Sequence, residues 1–454
     1  MKILLINPSF TDVYGNFSSA AKVGVLYPPM GLASLASNIK GVHTAKILDL
    51  ELNPDLDGTL RSFSPDIVGV TFTTPLYKHA IDIFKRVKKY NPDMWTIAGG
   101  PHSSALPDSV ISSAFVDTVV VGEGETAFNK FLEGPRKGIM PAEPLISDLD
   151  TIKFPARDLL ENHKYIWSVP GNGIQPMATL MTSRGCPFRC TFCSQKVIFG
   201  NTVRYRSVGN VIAELAHVVE KYNIRHFSVL DDTLGLNYER TFQLCDAIIA
   251  EKLNITFEGY TRVNVATYEL LQKLKSAGLN RISFGVESGN QNILDAVKKG
   301  TTLDQIRKAY EIAEKAGLET RMSVIFGLPG ETSETIRKTI AFMKGLKCKQ
   351  AYVNIGTPFP GTEFYDDAVA GVGGMKLLTS DWAEYRRWGN AVISVNDLTA
   401  QDLIKWQRKA LLQFYLRPSI IYYNLTRADW KSAFVNVWSF IKSFLPKRPI
   451  RPFQ

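Results

Sequence analysis

The chain has 454 residues, 45% hydrophobic and 21% charged, which is enough for two or three domains with full cores and too apolar for a disordered polymer. Its five cysteines include two isolated ones, Cys245 and Cys348, so no disulfide framework is visible and a reducing compartment is implied; no apolar run reaches the eighteen residues of a membrane-spanning helix. Most of the net charge of +10 lies at the end, where residues 401–454 hold ten Lys/Arg against two Asp/Glu.

The opening Met1-Lys2-Ile3-Leu4-Leu5-Ile6-Asn7-Pro8 has a short apolar run and no small-residue cleavage site, and reads as a first buried strand, not a signal peptide. Strands follow at 45–50, 66–71, 95–98 and 118–121, with helix-length segments between several of them. This alternation predicts a parallel α/β sheet of the flavodoxin-like, Rossmann type over residues 1–135, with helices on both faces. Ligands of such sheets bind beyond the carboxyl ends of the strands. Those ends carry Thr71-Phe72-Thr73-Thr74, Ala98-Gly99-Gly100-Pro101-His102 and Val121-Gly122-Glu123-Gly124-Glu125, and Tyr27-Pro28-Pro29-Met30-Gly31 opens the first helix. Taken alone, Gly-Gly after a strand fits any nucleotide-binding sheet.

Residues 136–175 contain Asp148-Leu149-Asp150 and Phe154-Pro155, lack sustained periodicity and read as a linker. Next comes Gly185-Cys186-Pro187-Phe188-Arg189-Cys190-Thr191-Phe192-Cys193. A C-x3-C-x2-C loop wraps three thiolates around one corner of a 4Fe-4S cube, leaving one iron open to a chelating small molecule. A structural zinc knuckle is the alternative, but zinc normally takes four protein ligands and no fourth candidate lies nearby. Strand-helix alternation resumes over 176–375, with strands ending at Ser183, Leu230, Tyr260, Val286, Phe326 and Ile355; six such units make a partial TIM-type barrel. At those ends stand Asp231-Asp232, Arg262, Glu287-Ser288-Gly289 and Ile325-Phe326-Gly327. Asp before a helix also reads as a cap, and Arg262 as a surface ion pair. Residues 376–454 read as a helical basic and aromatic extension. There Phe434, Val437, Trp438, Ile441, Phe444 and Leu445 recur at helical spacing among lysines, a pattern that suits a helix on an anionic membrane surface and equally one packed on the protein's own core.

The cysteine loop, with Phe192 as its aromatic, resembles the radical S-adenosylmethionine (SAM) superfamily, and the glycine-rich strand ends before it resemble the cobalamin-binding domain of that superfamily's cobalamin-dependent class, including its methyltransferases and anaerobic magnesium-protoporphyrin oxidative cyclases. The resemblance implies three cofactors: a 4Fe-4S cluster on Cys186, Cys190 and Cys193, SAM, and cobalamin. It assigns Phe192, Asp231, Asp232, Arg262, Glu287, Ser288, Ile325 and Gly327 to SAM, and Tyr27, Pro28, Thr71, Thr73, Gly99, Gly100, His102, Gly122 and Glu123 to cobalamin. The fork of Arg262 suits the carboxylate of SAM. One departure is chemical: the segment Pro8 to Gly15 has no histidine to ligate cobalt from below, and His102 reads better as a core or hydrogen-bonding residue.

The function so implied is methyl transfer to an unactivated carbon or phosphorus centre, with oxidation, cyclisation or rearrangement without net methyl transfer as the alternative. A methylthiotransferase needs further amino-terminal cysteines, and residues 1–185 contain none. The expected partners are a small-molecule or lipid substrate and an electron donor such as a flavodoxin or ferredoxin. No nucleic acid is expected, because no recognised binding motif accompanies the charge. The expected place is the cytoplasm, with peripheral membrane contact through the tail.

Overall fold

The computed structural model describes residues 1–10, 13, 26–39, 41–170 and 172–427. Its first unit is a six-stranded, all-parallel sheet built from β1 (Lys2–Asn7), β2 (Thr44–Asp49), β3 (Ile67–Thr71), β4 (Trp95–Gly99), β5 (Thr118–Val120) and β6 (Gly138–Met140), in the order β2-β1-β3-β4-β5-β6. The strands are apolar on both faces because helices cover both. Ile3, Leu5, Ile67 and Ile97 pack on α1 (Met30–Ile39) and α4 (Gly124–Glu133), whereas Leu4, Ile6, Val68 and Val70 pack toward α2 (Leu56–Phe63) and α3 (Tyr77–Tyr90).

The second unit is a curled seven-stranded sheet. After β7 (Ile166–Val169) and β8 (Gly173–Leu180), a two-stranded hairpin of β9 (Ser183–Arg184) and β10 (Arg204–Tyr205) leaves the sheet. The sheet continues with β11 (His226–Val229), β12 (Thr256–Thr261), β13 (Leu279–Glu287), β14 (Glu319–Phe326) and β15 (Gln350–Ile355), in the order β15-β14-β13-β12-β11-β8-β7. All pairs are parallel except β7 with β8. Helices α5 (Val208–Tyr222), α6 (Tyr238–Ala250), α7 (Tyr268–Ser276), α8 (Leu303–Lys315) and α9 (Ser333–Gly345) pack outside it. Side-chain caps from Ser207, Asn237, Thr267, Thr302 and Thr332 fix where these five helices begin.

Three expectations change. The first barrel strand ends at Leu180, not Ser183, because Asp231 captures the backbone and hydroxyl of Thr182 and Ser183 and turns the chain out of the sheet. Residues 136–175 are more than a linker: they hold β6 and β7, which extend the two sheets at their edges. The extension after 375 begins with an antiparallel pair, β16 (Met375–Leu377) and β17 (Ile393–Val395), before its helices α11 (Ala400–Tyr415) and α12 (Pro418–Arg427), with α10 (Glu363–Ala370) preceding them all. The amphipathic pattern from Phe434 to Leu445 lies outside the described residues. Among those described, no helix is long and apolar enough to cross a membrane.

The turn between β16 and β17 straps the two units together. Asp381 pairs with Lys78 at 2.6 Å, Arg386 donates to the carbonyl of Val13 at 3.2 Å, and the Trp388 indole donates to Asn354 of β15 at 3.0 Å.

Candidate functional site

The cysteine loop is fixed at its entry before any metal is considered. Asp231, 3% exposed, accepts four hydrogen bonds from Thr182 and Ser183, so both of its oxygens are engaged in bracing the chain. Gly185 follows at φ +96°, where an added Cβ would lie 2.2 Å from the Thr202 carbonyl, so only glycine passes. Burial, together with the neighbouring Asp231, pushes the Asp232 carboxyl up to about 6, against the lowering influence of the Gly185 amide. Farther along, the Thr191 amide donates to Val297 and the Thr191 carbonyl accepts from Phe364.

Within this frame Cys186, Cys190 and Cys193 are all reduced and half-buried. Burial pushes the Cys193 thiol up to about 11, and Cys190 and Cys186 lie near enough to add to that shift. Among the described residues no group of three His, Cys, Asp or Glu converges as a cage for a single metal ion. Thiolates on different irons of a cube stand farther apart than ligands of one ion, and three soft sulfur donors on one loop are the donor set such a cluster takes. The residues fit a cluster.

The strand ends around the loop divide between the barrel interior and the packing against its helices. Ile325 lies on the inward face of β14 in register with Asn354, while Met322, Val324 and Phe326 fill the outer core. Gly327 has φ +88° and gives its amide to Glu331 at 2.6 Å. Glu331 is fully buried, braces the loop before α9 and is pushed up to about 7 by that burial. Glu287, at φ +63°, is paired with Lys299 at 2.7 Å, and the Lys299 ammonium sits 5.8 Å from the Phe192 ring. The Ser288 hydroxyl is engaged with Thr339 on α9 and with the Asn290 amide, so that side chain belongs to packing. Arg262, expected at the SAM carboxylate, turns its donors toward the cysteine loop and the Lys299 carbonyl.

On the sheet side, a largely apolar cavity of about 430 Å³ opens at the carboxyl ends of the strands and runs down between the sheet and helices α1 and α4. Pro28, Thr71, Gly99, Gly100, Gly122 and Glu123 all line it. Gly100 (φ +94°) cannot carry a side chain, since its Cβ would meet Thr71 Oγ1 at 2.6 Å, but a Cβ on Gly99 or Gly31 would meet nothing within 4 Å. Bare backbone facing open space is the cradle a large planar ring needs. Phe154, Ile152 and Lys153 of the expected linker form a further wall, which no periodicity in the sequence signalled.

Three cobalamin-side assignments move. Thr73 is exposed and outside the cavity. Tyr27 points into the barrel, its hydroxyl 3.4 Å from that of Tyr260 and its ring 5.2 Å from Trp167. His102 is fully buried among Phe72, Tyr77 and Trp382, with Nδ1 3.2 Å from Thr74 Oγ1, and burial drops its pKa to about 4. A neutral ring locked in an aromatic box is a core residue, and no described histidine lines the cavity.

Glu123 does something the sequence did not announce. It accepts from Arg184 at 2.9 Å, Arg204 at 2.8 Å and the Ile146 amide at 2.9 Å, while Arg184 also holds Glu125 at 2.6 Å. Burial works to raise the Glu123 carboxyl, but the bonds from Arg204, Ile146 and Arg184 hold it below its ordinary value. Arg184 stands two residues before Cys186, so this buried network joins the cavity rim directly to the cysteine loop.

Comparison with known proteins agrees with the order of the two sites. A B12 binding domain model matches residues 19–132 and a Radical SAM superfamily model matches residues 180–343. The chain is 36% identical over 447 residues to the uncharacterized methyltransferase PH0819 of Pyrococcus horikoshii, covering 93% of this chain and 94% of that one. It is 27% identical to the anaerobic magnesium-protoporphyrin IX monomethyl ester cyclase of Rubrivivax gelatinosus, over 94% of this chain and 80% of the cyclase. In fold it is similar to the radical SAM methyltransferase TsrM of Kitasatospora setae, solved with cobalamin and a 4Fe-4S cluster (TM-score 0.67, 16% identity, 92% and 89% of the two chains covered). A glycine-lined cavity spliced to a three-cysteine loop, in a chain related from end to end to PH0819, makes this protein a cobalamin-dependent radical SAM enzyme of the methyltransferase family.

Proposed function

We propose that the protein methylates an unactivated carbon or phosphorus centre of a small molecule. The observation that carries this reading is the juxtaposition of the corrin cavity and the cysteine loop, both anchored to Arg184. When bound, the cluster with SAM supplies a 5'-deoxyadenosyl radical and the corrin supplies the methyl group. The chain's own residues position these groups. Cys186, Cys190 and Cys193 would hold the cluster, Ile325 and the backbone at Gly327 and Glu287 would receive SAM, and Thr71, Gly99, Gly100 and Gly122, which line the cavity beside α1, would seat the ring. The strap from Asp381 to Trp388 fixes the sheet unit against the barrel, as holding the reacting groups at near-attack distance would require.

The experiment is anaerobic reconstitution with cobalamin, followed by substrate screening with label on the methyl group of SAM. A product gaining one carbon and two hydrogens with the label supports the reading; an unlabelled, oxidised or cyclised product replaces it with the cyclase alternative. A flavodoxin or ferredoxin in the cytoplasm is the proposed electron source. A lipid is the favoured substrate class, and peripheral contact with an anionic membrane is proposed through the carboxyl-terminal tail. That is supported by the basic aromatic sequence after residue 428 and by exposed Ile421 and Tyr422 on the adjoining α12.

A further inference from the structure

Arg262 follows β12 and is 6% exposed, yet among the described residues its guanidinium forms no ion pair with a carboxylate. Nε donates to Asn264 Oδ1 at 3.2 Å, Nη2 donates to the Lys299 carbonyl, and Nη1 donates to Cys190 Sγ at 3.3 Å. The guanidinium carbon lies 3.7 Å from the centre of the Phe188 ring. A cation removed from water needs a counter-charge, not only dipoles. Asn264 and Lys299 offer dipoles, and Phe188 offers the face of a ring. The nearby carboxylate of Glu287 is already taken by the Lys299 ammonium at 2.7 Å. That leaves the Cys190 sulfur as the contact able to bear a full negative charge.

Resting on the reading of Cys186, Cys190 and Cys193 as cluster ligands, we infer that Arg262 is the counter-ion of the Cys190 thiolate and sets the reduction potential of the cluster that thiolate holds. Its seat is rigid. The turn 297–300 accepts the Thr191 amide at Val297 and grips Arg262 at Lys299, so one short segment fixes both the cation and the loop carrying Cys190. Reduction adds one electron and one negative charge to the cluster and breaks no bond. A cation and an N–H donor on a ligand sulfur stabilise the reduced state more than the oxidised one, which raises the potential. Arg262 is thus a positioning and tuning residue, and its fork is not the clamp for the SAM carboxylate.

The test is a redox titration, monitored by electron paramagnetic resonance, of the full chain reconstituted anaerobically and without SAM, alongside iron content and SAM affinity. Arg262→Gln removes the charge. Asn264→Asp leaves every Arg262 contact in place but sets a carboxylate against Nε, drawing on the same cation from its far side. Both variants are expected to shift the midpoint to more negative potential, with iron per chain unchanged and SAM affinity within about threefold of the parent. Should Arg262→Gln hold no iron, the isosteric Asn264→Asp decides. Unmoved midpoints together with a tenfold or larger loss of SAM affinity in Arg262→Gln would overturn the inference and restore the carboxylate clamp. A parent protein that assembles no cluster overturns the cluster reading itself, a different result from an intact cluster whose potential does not respond.

Discussion

The sheet unit and the barrel are built from the same strand-helix alternation, but they put their polar groups in opposite places. In the sheet the central strands are largely apolar on both faces, and polar groups gather at the strand ends: Asp117, paired with Lys88 and bonded to Thr96, at the amino ends, and the cavity at the carboxyl ends. In the barrel the inward faces of β12, β13 and β14 carry charge: Glu258, 1% exposed, accepts from Arg281 at 2.9 Å and from the Trp167 indole at 3.0 Å, with Arg321 at 3.5 Å. A sheet covered on both sides can receive a ligand only at its ends, whereas a curled sheet encloses a polar interior beneath its mouth. The buried network through Glu123, Arg184 and Arg204 ties the strand-end cavity of the one to the cysteine loop of the other.

The division of labour breaks most sharply at Cys190. Cys190→Ala is expected to abolish deoxyadenosine formation completely while corrin affinity, followed by the visible spectrum, stays within about twofold. Loss of both would mean that the two units do not act as separate binding sites. The reciprocal change is Gly99→Val. Gly99 has no positive φ and its added Cβ meets nothing within 4 Å, so the fold accepts the side chain and the corrin does not. Corrin affinity should fall by about tenfold or more, ~1.4 kcal/mol, with cluster content intact. Equal corrin binding by the variant would move the ring elsewhere.

How far these contrasts were legible depends on their range along the chain. The sheet strands were visible because local apolar runs stand against glycine turns, and the cysteine loop because its ligands sit within eight residues. Ser288 and Asp231 were placed at the right strand ends, but their occupation by Thr339 and by Thr182 and Ser183 depends on partners about fifty residues away. Strands β6 and β7 are hidden in the sequence because runs of three or four residues are too short to establish a period, even though β7 alternates between exposed and buried in the structure. Glu123 read as a ligand-side acid because its motif lies in a glycine turn; its partners Arg184 and Arg204 are 61 and 81 residues distant.

That joint is the next place to sharpen the comparison. Glu123→Gln leaves Arg204 buried without a carboxylate, which should cost about 4 kcal/mol in denaturant unfolding and let the sheet unit unfold ahead of the barrel. A single unchanged transition would mean that the strap from Asp381 to Trp388, and not this network, holds the units together.

A last contrast separates the two units by pH. Glu331 in the barrel has its carboxyl raised by burial from 4.5 to about 7, so folding favours its protonated form. Its contribution to stability is fully present below pH 4.5 and is lost as pH rises through 7. His102 in the sheet unit is shifted the other way, from 6.5 to about 4, and its contribution is present above pH 6.5 and lost as pH falls through 4. Gln at position 331 keeps an acceptor for the Gly327 amide but does not ionise. The unfolding free energy of Glu331→Gln relative to the parent should therefore improve by up to about 3 kcal/mol between pH 4.5 and pH 7.5, read from denaturant midpoints at each pH. A difference that stays constant over that window would show Glu331 ionised without penalty, its charge met by the Gly327 and Leu328 amides at the head of the loop before α9.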